Sequence, residues 1–186
     1  KANFFKKIIY TLRKSPNPGF LIDRFKNKLE RTGLKKNITN LFPEEEINAE
    51  FHFVEHHLAH LASAFFASNY NDAAVISIDG FGDFASSAWG FGSGNNIKIG
   101  GQILFPHSLG IFYTAITQYL GFPNYGDEYK VMGLAPYGNP RFLREMREIV
   151  KLENNGLFRL NLNYFTHSNQ KLAHQWSQGA PVLANH

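Results

Sequence analysis

The run Glu55-His56-His57-Leu58-Ala59-His60 places three imidazoles within five residues. If a helix begins here, His56 and His60 lie four residues apart and project from one face, so both can meet a single metal ion. His57 points about 100° away from them. The glutamate of the H-E-x-x-H motif is absent, so this is not a zinc-protease signature. Spacing alone does not decide the matter, because eight histidines in 186 residues sometimes fall four apart, and a structural or surface role stays open.

Two further groups could touch a phosphate. Asp79-Gly80-Phe81-Gly82-Asp83 follows an apolar run. An acid at a strand end, followed by glycines, can approach phosphate or a phosphate-bound metal through bare backbone N–H groups. A plain β-turn explains the same residues, and neither a P-loop nor G-x-G-x-x-G is present. Lys130, within Gly126-Asp127-Glu128-Tyr129-Lys130-Val131-Met132-Gly133, suits contact with a phosphate or carboxylate, while Glu128 could hold a ribose or sugar hydroxyl. The alternative is a surface loop with an exposed lysine.

Positioning these groups requires particular elements. Phe51-His52-Phe53-Val54 reads as a short strand, residues 55–67 as a helix, and residues 73–78 as a buried strand ending at Asp79. Residues 84–91 and 97–105 read as strands of a meander joined by Gly92-Ser93-Gly94-Asn95-Asn96, which has hairpin chemistry. Ser108 is the expected N-cap of a helix whose apolar face is Leu109, Phe112, Tyr113, Ile116 and Leu120, with Gly121 placed to end it. Residues 122–138 read as an irregular loop, residues 140–150 as a helix, and residues 157–165 as a strand.

Composition narrows the chemistry. With 44% hydrophobic and 18% charged residues the chain is ordinary globular material. It has no cysteine, so a disulfide scaffold, a thiolate metal site and a cysteine nucleophile are excluded within it. No apolar run reaches the roughly 18 residues of a membrane span, and the N-terminal residues lack the order of a signal peptide; a cytoplasmic location is expected. The net charge of +4 is uneven: residues 1–36 carry +9 and the remainder −5. In the basic segment Phe4, Phe5, Ile8, Ile9 and Leu12, then Leu21, Ile22, Phe25 and Leu29, recur at helical spacing. Two amphipathic helices with a solvated basic face are expected, followed by a polar connector over residues 37–50. A nucleic-acid site resting on charge alone is the weaker reading, since no aromatic RNA-recognition motif accompanies it.

The order of motifs is more specific than any one of them. His-His-x-x-His, the strand into Asp79-Gly80-Phe81-Gly82-Asp83, Phe105-Pro106-His107-Ser108-Leu109-Gly110, and Glu128-Tyr129-Lys130-Val131-Met132-Gly133-Leu134-Ala135-Pro136-Tyr137-Gly138 together closely resemble the N-terminal domain of the nodulation-protein and antibiotic O-carbamoyltransferases. The resemblance is strong over about residues 51–140. The region 1–50 looks like the helical insertion of that family, and 51–186 like part of its N-terminal domain.

The resemblance implies an α/β lobe of the actin, hexokinase and Hsp70 type, a mixed sheet with flanking helices, similar to the universal tRNA threonylcarbamoylation ATPase. It implies transfer of a carbamoyl group to a hydroxyl of a sugar or natural product from carbamoyladenylate, itself made from carbamoyl phosphate and ATP in a separate C-terminal domain. It implies a divalent ion, Fe2+ first with Mn2+ or Zn2+ as alternatives, held by His56, His60 and Asp79. Gly80, Gly82, Asp83, Glu128 and Lys130 fall on the nucleotide side of such a site. Neither nucleic acid nor membrane is an expected partner. On the same resemblance a first strand and phosphate hairpin would precede residue 1, and the rest of the second lobe and the C-terminal domain would follow residue 186. The 186 residues alone are then expected not to complete the reaction, and the ion to need a further carboxylate. The competing reading is a nucleotide-binding lobe of a related protein, serving tRNA modification or resembling a sugar kinase.

Overall fold

A strand of alternating character needs a cover on at least one face, and the segment Asp72–Gly82 (β1) receives it on one. The computed structural model describes residues 3–14, 33–46, 48–168 and 183. β1 pairs antiparallel with Ala85–Ser93 (β2), placing Ile76 opposite Trp89 and Ser77 opposite Ala88. β2 pairs antiparallel with Asn96–Leu104 (β3), so the sheet order is β1-β2-β3. The turn between β1 and β2 has two residues, Asp83 at φ 49° and Phe84 at φ 75°. That is the doubly left-handed conformation that matches the twist of paired strands.

The helix His56–Phe65 (α1) lies across all three strands, presenting His57, Leu61 and Phe65 to the sheet, all buried. Its start is set by Glu55, whose carboxylate accepts the Leu58 N–H at 2.7 Å, satisfying one of the donors a helix N-terminus leaves open. At Gly92 a Cβ would meet the Phe65 ring at 2.7 Å, so the glycine lets the helix sit close. The opposite face of the sheet carries Ile76, Ile78, Trp89 and Phe91, all exposed. The strand expected to be buried therefore exposes Ile76 and Ile78 on this side, and it runs past Asp79, where it was expected to end, to Gly82.

The helix Leu109–Tyr119 (α2) starts at Ser108 as expected, with the Ile111 N–H donating to Ser108 Oγ at 3.1 Å, and Gly121 follows it at φ 91°. It packs against β1. Its inner residues Ile111 and Ala115 form a core with Leu160 and Phe165, the latter pair brought in by a two-stranded antiparallel sheet of Val150–Leu152 (β4) and Phe158–Leu160 (β5).

Several expectations are corrected. Residues 51–54 form no strand, because no strand among the described residues takes up their backbone hydrogen bonds. The expected irregular loop at 122–138 contains the helix Glu128–Leu134 (α3); its glycines sit at or outside the ends of a run, Glu-Tyr-Lys-Val-Met, that tolerates helix well. The helix expected at 140–150 spans Leu143–Ile149 (α4), and the strand expected to reach Phe165 gives way to a 3-10 turn at Leu162–Tyr164. The expected connector over residues 37–50 begins inside a helix, Leu34–Leu41. Both sheets are antiparallel among the described residues, where a mixed sheet was expected. The first basic helix is present as Phe4–Lys14. Its Tyr10 ring meets the rings of Phe84 and Phe105 edge-on, at 5.6 and 5.3 Å between centroids. The second basic helix lies outside the described residues. Among the described residues no helix is long and apolar enough to cross a membrane.

His167 is a buried part of this frame. Its Nε2–H donates to the Pro106 carbonyl at 2.6 Å, and its ring stands edge-on to Phe105 and Phe165. Burial holds its pKa below the ordinary 6.5, against the raising effect of the Pro106 carbonyl and with help from nearby His107. The folded state thus favours the neutral ring. That contribution is complete above about pH 6.5 and is lost as pH falls through the unfolded value toward the depressed folded one. Melting temperature is expected to drop between pH 7.5 and 5.5. His167→Gln, which retains an N–H for Pro106, should shrink the drop; an equal drop in the variant would assign it to other groups.

Candidate metal centre

The helix spacing that aligns His56 with His60, and the place of Asp79 on β1 three residues before that strand ends, converge on one point. His56 Nε2 lies 2.7 Å from Asp79 Oδ2, His60 Nε2 lies 3.1 Å from His56 Nε2, and His60 Nε2 lies 3.5 Å from Asp79 Oδ2. Three ligands each about 2.1 Å from one ion, at angles between octahedral and tetrahedral, stand about 3.0 to 3.4 Å apart. The three separations bracket that range. The donor set also fits, since two imidazole nitrogens and a carboxylate suit Fe(II), Mn(II) or Zn(II). Among the described residues this is the one group of three or more His and acidic side chains so arranged.

Electrostatics favours an ionised carboxylate. Partial burial alone would raise the Asp79 pKa, but the His56 hydrogen bond, the Gly80 N–H and the charges of His56 and His60 together outweigh it and hold the group below its ordinary value. The Gly80 N–H donates to Asp79 Oδ1 at 2.6 Å, which fixes the carboxylate and leaves Oδ2 facing the histidines.

Close approach of backbone holds Asp79 and His56. Ser108 Oγ lies 2.8 Å from the Gly80 carbonyl oxygen and 3.2 Å from that of Asp79, so the residue that caps α2 also pins β1 at Asp79 and Gly80. A Cβ on Gly110 would stand 2.9 Å from Gly80 Cα and 3.0 Å from the Asp79 oxygen. Across the site, the His56 N–H donates to Asp83 Oδ2 at 3.2 Å, and the His56 ring covers Gly82 so closely that a Cβ there would overlap it. Gly80, Gly82 and Asp83, expected on the nucleotide side, are thus seen supporting the ligands; the Gly80 N–H in particular is already engaged by Asp79.

Glu128 and Lys130 bond elsewhere. Thr114 Oγ1–H donates to Glu128 Oε1 at 2.6 Å, which fastens α3 to α2. Lys130 Nζ pairs with the buried Asp127 at 2.6 Å and lies near the rings of Phe122 and Tyr129. The Asp127 hydrogen bond raises the Lys130 pKa, and the same bond lowers that of Asp127. The roles of Ser108 beyond capping and of Gly110 beneath Asp79 escape sequence reasoning, because each depends on a contact about thirty residues away along the chain; the small residues at 108 and 110 beside Pro106 are the only trace.

The family described as Carbamoyltransferase N-terminus matches residues 20–178. The chain is 45% identical over 117 residues to the uncharacterized protein sll1178 of Synechocystis sp. (62% of the chain, 19% of the relative). It is 44% identical over 112 residues to nodulation protein NolNO of Sinorhizobium fredii (60% and 16%), and 42% identical over 113 residues to nodulation protein NolO of Bradyrhizobium diazoefficiens (59% and 20%). The chain therefore spans about a fifth or less of the length of these relatives.

Proposed function

We propose that this chain, which belongs to the Carbamoyltransferase N-terminus family, forms the acceptor side of an O-carbamoyltransferase. Its substrates are carbamoyladenylate and a hydroxyl of a sugar or natural product. The observation that carries the reading is the convergence of His56, His60 and Asp79 on one point inside a domain of that family. The lobe is read as one of the actin, hexokinase and Hsp70 type, with residues 1–50 an insertion upon it. Carbamoyladenylate is supplied by a further domain that consumes carbamoyl phosphate and ATP.

In the transfer step the acceptor oxygen attacks the carbamoyl carbonyl carbon. The bond from that carbon to the phosphate oxygen breaks, AMP leaves with the electron pair, and the hydroxyl proton passes to a base. His56, His60 and Asp79 would hold a divalent ion, Fe2+ foremost, whose charge when bound stabilises the departing phosphate and polarises the carbonyl. The chain's own work is to keep Asp79 ionised through Gly80 and the histidines, and to hold the three ligands on opposed backbones. Lys130 is assigned to the phosphate end of the nucleotide, where its charge is maintained by Asp127.

The test uses the full-length protein with carbamoyl phosphate, ATP and candidate acceptors, following carbamoyladenylate and carbamoylated product by mass spectrometry. ATP-dependent carbamoylation of a hydroxyl is expected. A phosphorylated product without any carbamoylated one would turn the reading toward a kinase-like lobe. Lys130→Met should lower transfer by about tenfold or more through loss of a charge-assisted hydrogen bond to the phosphate. Asp127→Asn breaks the same ion pair but leaves the cation, so transfer should largely survive it. If both variants fall equally, the pair serves only to hold α3.

A further inference from the structure

We infer that His57, which ligates nothing in the centre described above, is a positioning residue that keys the histidine helix to the aspartate strand. The inference rests on the metal reading of His56, His60 and Asp79 and extends it to a residue outside that set. His57 is 0% exposed, lies beside His56 on α1, and turns its ring into the sheet instead of toward the ion. Its Nδ1 meets Ser77 Oγ at 2.9 Å. Ser77 is itself buried and stands two residues before Asp79 on β1, on the same face of the strand.

The geometry explains why the link matters. His56 and His60 are on α1 and Asp79 is on β1, so the shape of the ligand triangle depends on how helix and strand are placed along and about one another. Apolar contacts such as those of Leu61 and Phe65 favour closeness but leave sliding weakly opposed, because hydrophobic burial is non-directional. A hydrogen bond between two buried groups is directional and costly to leave unmade. The His57–Ser77 bond sits one residue from a ligand on the helix and two from a ligand on the strand, where a slide would be felt most. His57 Nε2 is buried with no partner among the described residues. Burying an imidazole at such a cost, where leucine would pack without it, points to a need for the bond itself.

The experiment is metal binding by the full-length protein, with Co2+ as the probe. Its visible absorption reports the geometry around the ion, which a merely structural role would not alter. The variants are His57→Asn, whose amide reproduces the position of Nδ1, His57→Leu, which fills the space without the bond, and Ser77→Ala, which removes the other partner. His57→Asn should keep the parental spectrum and bind within about threefold. His57→Leu and Ser77→Ala should each weaken binding by about tenfold, the scale typical of groups that orient metal ligands, with a changed spectrum and an unchanged circular dichroism. Together they should cost little more than either alone.

Parental Co2+ affinity in Ser77→Ala, or equal damage from His57→Asn and His57→Leu, would overturn the inference while leaving the metal centre standing. If His57→Leu does not fold, Ser77→Ala and His57→Asn decide alone. Absence of Co2+ binding in the parent, or binding unaffected by His56→Ala, would overturn the metal reading and this inference with it.

Discussion

Gly82→Ala is expected to dismantle the metal centre while leaving the sheet paired. A Cβ at this position would stand 1.9 Å from His56 Cδ2, 2.1 Å from Cγ and 2.3 Å from Nε2, far inside contact distance. The sheet does not have to yield, because a side chain can turn about its own bonds more cheaply than a paired strand can move. The ring of His56 must swing away instead. In doing so it leaves both Asp79 Oδ2 and His60 Nε2, which it meets at 2.7 and 3.1 Å. The loss of one of three protein ligands exceeds the tenfold to hundredfold effects typical of ligand-orienting groups. Metal affinity should therefore drop by at least about a hundredfold, with circular dichroism unchanged. Calorimetric titration with Mn2+ or Co2+ would check it, and affinity within twofold of the parent would mean that His56 is not a ligand.

Asp79→Asn is the sharper test of chemistry. The amide keeps the shape of the carboxylate but brings no charge and presents a donor where the ion would need an acceptor. Carbamoyl transfer to the acceptor should fall by about a thousandfold, the consequence of losing about 4 kcal/mol of charge stabilisation in the transition state. Formation of carbamoyladenylate is assigned to another domain and should continue, so carbamoyl phosphate and ATP would still be consumed while the product stopped appearing. Parental transfer by Asp79→Asn would remove the acid from the mechanism. Equal loss of both half-reactions would show that the two are not separable in the way proposed.

The recognisable parts of this protein are those whose physics is local. A four-residue interval sets His56 and His60 on one helix face wherever that helix goes, since 3.6 residues make a turn. Ser108 caps and Gly121 ends a helix by bonds and backbone angles within a few residues, and a Gly-Asn pair folds the hairpin between β2 and β3. For these, neighbours in sequence are the neighbours that matter. Where local preference is weak, composition misleads. Residues 51–54 have the composition of a strand but pair with no strand among the described residues, and 122–138 has the glycines and prolines of a loop, although Glu128 binds Thr114 and Asp127 binds Lys130 to stabilise a helix within it.

The amino-acid order alone sets His56 and His60 on one helix and Asp79 on a strand, and the family resemblance joins the three as candidate ligands. It could not say that the three ligating atoms come within 3.5 Å of one another. Only the folded chain decided that Gly82 would be the floor beneath His56, that Gly110 would make room for Asp79, that Asp83 would accept the N–H at the start of the histidine helix, and that the middle histidine would face Ser77. Each of these is a meeting between segments twenty to thirty residues apart. It is fixed by how α1 and α2 press on β1, a packing outcome in which excluded volume and buried hydrogen bonds select one arrangement among many that share the same local preferences.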